Sequence, residues 1–70
     1  MLYVVLFIGS DGRLGRTIGP IEDWISAVNK GQELAKDELW DLTTREQERL
    51  GHYGYATSDH GTIHIGGLEL

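Results

Sequence analysis

Residues Leu2 to Ile8 are apolar without interruption, and in a chain of 70 residues that run constrains the fold more than any other feature. A strand with one solvated face alternates polar and apolar side chains. Tyr3-Val4-Val5-Leu6-Phe7-Ile8 does not, and it is rich in β-branched and aromatic residues. It reads as a strand buried on both faces or placed centrally in a sheet. The run stops at Gly9, no basic stretch precedes it, and it is far too short to cross a bilayer, so neither a targeting signal nor a membrane span fits.

Turn chemistry in Gly9-Ser10-Asp11-Gly12 is followed by Arg13 to Ile18, where Leu14, Arg16 and Ile18 alternate with smaller residues, which predicts a first hairpin. Gly19-Pro20 should end its second strand, with Pro20 in the first turn of a helix. Ile21, Trp24, Ile25 and Val28 follow the i, i+3, i+4, i+7 spacing of an amphipathic helix, with Glu22 and Asp23 at its positive end. That helix is expected to weaken or break near Gly31. Asp37 can cap a short turn through Leu42. Thr43 with Glu46 spells a capping box opening a second helix that stops at Gly51, with Leu39, Leu42 and Leu50 directed inward.

From His52 onward Tyr53, Tyr55 and Thr57 alternate with small residues, Ser58 to Gly61 is a turn, and Thr62 to Ile65 returns as a strand, making a second hairpin. Gly66-Gly67 should end it, leaving Leu68 to Leu70 as a short strand or docked tail. The expectation is an α+β domain over residues 1–70: a small antiparallel sheet of two hairpins with two helices inserted between them, in the order β-β-α-α-β-β, one sheet face covered by the helices. The other face of the first strand then needs the C-terminal tail or a second copy of the chain, which predicts a homodimer through the first strand.

The charge is as unevenly placed as the hydrophobicity. Between Glu22 and Glu48, eight acids face three bases, a balance of −5 that equals the formal net charge of the whole chain. A field of this sign repels nucleic acid and attracts basic surfaces. Arg13 and Arg16 form at most a small basic patch, so direct nucleic-acid binding is not expected even though Tyr53 and Tyr55 could stack bases. With no cysteine, disulfide frameworks, zinc fingers and iron–sulfur sites are excluded, and a reducing, cytoplasmic setting is expected.

Motifs that suggest catalysis do not survive a geometric test. Ser58-Asp59-His60 names the members of a hydrolase triad, but consecutive residues of a turn cannot form the relay. Gly9 to Gly15 follows a strand, yet no helix opens directly after it and no lysine stands in the phosphate-binding position, so a hairpin turn explains it better. The expectation is a protein that is not an enzyme and holds no cofactor. An alternative of another class is a small metal- or ligand-binding protein using Asp59, His60 and His64 of the second hairpin, which metal analysis and a thermal shift on chelation would detect.

The leading reading rests on Glu33, Asp37, Glu38, Trp40, Asp41, Glu46 and Glu48. If Trp40 is exposed, it and the surrounding acids make an anchor and a steering field for a basic protein or ribonucleoprotein surface. If Trp40 is buried against the first helix, the acids are a solvated face. The stretch Lys36-Asp37-Glu38-Leu39-Trp40-Asp41-Leu42-Thr43-Thr44-Arg45-Glu46-Gln47-Glu48-Arg49-Leu50 resembles a short helical pair found in small bacterial and phage proteins, among them some anti-CRISPR proteins. That resemblance implies an acidic phage or mobile-element inhibitor that occupies a basic, nucleic-acid-handling surface of a host complex.

Overall fold

In the computed structural model, which describes residues 1–68, the apolar run is strand β1 (Leu2–Gly9) and has a neighbour on each side. The chain continues through β2 (Leu14–Ile21), α1 (Trp24–Asp37), α2 (Thr44–Tyr53), β3 (Tyr55–Ser58) and β4 (Gly61–Leu68), the expected α+β order. All strand pairs are antiparallel, and the sheet order is β2-β1-β4-β3. The two hairpins are therefore joined through β1 and β4, in register from Leu2 opposite Leu68 to Gly9 opposite Gly61.

Both helices lie on one face of this sheet. Val5 and Phe7 of β1, Ile63 and Ile65 of β4 and Ala56 of β3 pack with Ala27, Leu34 and Ala35 of α1, Leu50 of α2 and Trp40 of the connecting loop. The pleat sends Val4, Leu6 and Ile8 to the opposite face, where they are half-buried with no helix over them. Cover on both faces, anticipated for this strand, is met on one. The strands on either side of β1 satisfy its edges and leave its second face as an aliphatic row without cover among the described residues.

The first helix begins later and ends later than its periodicity predicts. Gly19-Pro20, joined by a cis peptide, and Ile21 belong to β2, where Ile21 pairs with Tyr3. Proline is tolerated there because β2 is an edge strand. Asp23 caps α1, its carboxylate accepting from the Ser26 amide at 2.8 Å. Ile25, assigned to the apolar stripe, is 73% exposed, and the buried face runs instead through Ala27, Gly31, Leu34 and Ala35. Gly31 neither caps nor breaks the helix. A Cβ there would stand 3.1 Å from Leu50 and 3.2 Å from Ile63, so the missing side chain lets α1 approach both α2 and β4.

The capping box of α2 forms as predicted, with the Thr43 hydroxyl accepting from the Glu46 amide at 3.1 Å and the Glu46 carboxylate accepting from the Thr43 amide at 2.9 Å. The helix passes through Gly51 and closes on Gly54, in the left-handed conformation. Tyr53 is consequently helical, so it and Tyr55 do not share a strand face, although their rings lie 6.5 Å apart. Gly66 and Gly67 stay inside β4, which extends to Leu68; the remainder of the predicted tail, residues 69–70, lies outside the described residues.

Candidate functional site

The segment between the helices decides which of the two readings of Trp40 applies. Glu38 is the C-cap of α1. The amide of Leu39 donates to the Lys36 carbonyl and that of Trp40 to the Ala35 carbonyl, both at 2.9 Å. This is the Schellman pattern, in which the second residue past the cap folds back onto the last turn of the helix. Trp40 occupies that place and is 2% exposed. Its ring lies parallel to that of His60 at 5.8 Å, and its Nε1–H donates to Glu46 Oε1 at 3.4 Å. Trp40 is a core residue, because the turn that ends α1 directs it inward: it is not an exposed partner-binding anchor, and with it buried the acids around it are a solvated face.

The same turn turns Leu39 outward. Leu39 was expected to face the core with Leu42 and Leu50, yet it is 89% exposed at φ 58°. It is the one non-glycine residue with positive φ among those described. Glycine is the usual residue at this position, because a Cβ in the left-handed conformation crowds the backbone at a cost of about 1–2 kcal/mol. The loop thus holds a large apolar side chain in solvent, in a backbone conformation that disfavours it. Nothing in the packing of the described residues requires a leucine there.

The acidic residues fall into separate environments. Glu38 and Asp41 flank Leu39 and make no ion pair with the described residues. Asp37 accepts from Arg16 of β2 at 3.3 Å, and Glu33, one turn earlier on α1, accepts from Lys30 at 3.2 Å. Both contacts are exposed, and such pairs hold little energy in water. Glu46 is committed to the capping box and the Trp40 indole. Glu48 lies in a shallow depression with Arg45, Arg49, His52, Tyr53 and Tyr55, a mixed-charge surface, and does not join the acids around Leu39. Glu33 and Asp41 do share one feature, an open cleft beside the loop that is also lined by Asn29, Gln32, Lys36, Leu42 and Gln47.

No protein-family model, curated protein or solved structure matches this chain. The stretch from Lys36 to Leu50 is, in structural terms, a Schellman turn followed by a capping box, two local devices that many helical pairs use.

The structure does not assemble the histidine site of the second hairpin. His60 lies in the turn, stacked on Trp40, with its Nδ1 at 3.4 Å from the Ser58 hydroxyl. His64 is exposed on β4, opposite Leu6 and Tyr55 on the sheet face away from the helices. No group of three or more histidine or carboxylate side chains is placed to hold a metal among the described residues. Ser58 and His60 serve the hairpin turn instead, the Ser58 hydroxyl accepting from the His60 amide at 3.0 Å.

Proposed function

We propose that this chain is a non-enzymatic protein-binding module that inserts Leu39 into an apolar pocket of a partner with a basic rim. The exposure of Leu39 at positive φ supports the reading: an unfavourable backbone conformation kept at a solvent-facing apolar side chain points to a role outside the fold. Glu38 and Asp41 beside it, which make no ion pair with the described residues, supply the negative charge that steers a basic surface toward the leucine. Leu39 takes the anchoring role for which Trp40 was a candidate. The net charge of −5 disfavours nucleic acid as the direct ligand and favours a protein that itself handles nucleic acid, whose phosphate-binding surface such a module would occupy as an inhibitor.

Selection of displayed peptides on the immobilised protein tests this reading. Enriched sequences should combine lysine or arginine with a large apolar residue. Their affinity should fall about tenfold or more in the Asp37→Lys, Glu38→Lys, Asp41→Lys triple variant, with the far-UV spectrum unchanged, because both charge complementarity and encounter rate are lost. Enrichment of acidic sequences, or affinity indifferent to the reversals, would refute it.

A further inference from the structure

The face of the sheet opposite the helices carries Leu2, Val4, Leu6 and Ile8 from β1, Leu14 and Thr17 from β2, and Thr62, His64 and Leu68 from β4, with Tyr55 and Thr57 at the β3 edge. The Thr57 and Thr62 hydroxyls, 2.9 Å apart, join the two hairpin strands across it. Arg16 is the only lysine, arginine, aspartate or glutamate in the four strands, and it reaches Asp37 on the helix side. A chain of net charge −5 therefore presents one broad face without a formal charge among its described residues, lined along its middle by half-buried aliphatic side chains.

We infer that two copies of the chain associate through this face, sheet against sheet about a two-fold axis. Two molecules of charge −5 repel least when they meet through a face on which neither carries charge, and this face meets that condition. A charged partner finds nothing here to pair with, whereas a second copy brings the same uncharged aliphatic row. The size is adequate. Four strands about 4.8 Å apart, rising about 3.3 Å per residue, project on the order of 450 Å². Accessible surface exceeds its projection, so a face-to-face pair removes on the order of 1,000–1,200 Å² in total, enough to clear the roughly 1,000 Å² threshold for a biological interface and short of the standard size. Edge-to-edge pairing is disfavoured, since β2 carries Pro20 and Arg16 and β3 has four residues. The first strand thus contributes to the dimer by its face, being flanked on both edges.

Sedimentation equilibrium on the full chain at rising concentration decides the matter. The expected result is a species of twice 7.8 kDa. Leu6→Lys, at the middle of the face, and His64→Glu, at an exposed position, should each return it to the monomer mass with the far-UV spectrum intact. His64→Glu alone decides if Leu6→Lys fails to fold. Leu39→Gly should leave the dimer unchanged. A monomer at every concentration, a dimer that survives His64→Glu, or a dimer lost in folded Leu39→Gly protein would each overturn the inference.

Discussion

Trp40→Ala should leave about half of the protein folded at room temperature, or less. Trp40 is among the largest fully buried side chains, and truncating a buried tryptophan to alanine costs about 3–5 kcal/mol in lost transfer energy and the cavity left behind. A single core in a chain of 70 residues rarely supplies more than about 3–5 kcal/mol, so the variant sits near its midpoint of unfolding without denaturant. The loss also spreads through contacts. The indole is the second residue past the cap of α1, donates to Glu46 at the start of α2, and stacks on His60 in the β3–β4 turn, so it joins three parts of the chain. Urea unfolding followed by far-UV circular dichroism measures the effect. A midpoint close to that of the parent protein would mean that Trp40 lies on the surface, where truncation changes stability by about 0.5 kcal/mol or less.

Gly61→Ala should be nearly as damaging, through the backbone. Gly61 has φ 136°, a conformation that side-chain-bearing residues adopt at a cost of about 1–3 kcal/mol. It is buried where β4 begins, opposite Gly9, and a methyl group there would run into the Ile8 carbonyl oxygen and stand 3.2 Å from both Gly9 Cα and the Phe7 ring. These neighbours are mostly backbone of the central ladder, so relief requires separating β1 from β4. A fall in melting temperature on the order of 15 °C is expected, corresponding to about 3 kcal/mol in a domain of this size. Gly66→Ala is the control, because nothing lies within 4 Å of its Cβ position. Equal, small shifts in the two variants would contradict the close approach at Gly61.

The order of elements was legible because each carries a local signal: the apolar run of β1, the turn residues of both hairpins, and the capping box of α2. What misled was periodicity read without tertiary context. Ile21, Trp24, Ile25 and Val28 have helical spacing, yet Ile21 pairs with Tyr3 in the sheet and Ile25 faces solvent. Gly31 looked like a helix stop, and its purpose becomes visible only with Leu50 and Ile63 against it. The candidate site shows the same limit. The concentration of acids around Glu38 was apparent, but which of Leu39 and Trp40 points outward depends on a Schellman turn. Its usual marker, a glycine after the cap, is missing because Leu39 stands in that place.

That substitution of leucine for the expected glycine makes Leu39→Gly the most informative variant. Folding stability is to be measured by urea unfolding alongside affinity for the selected basic peptides. Glycine relieves the left-handed strain and removes the exposed side chain, so stability should rise by about 1 kcal/mol while affinity falls about tenfold or more. A protein made more stable with its affinity unchanged would show that Leu39 contacts no partner, and the docking role assigned to this loop would be wrong.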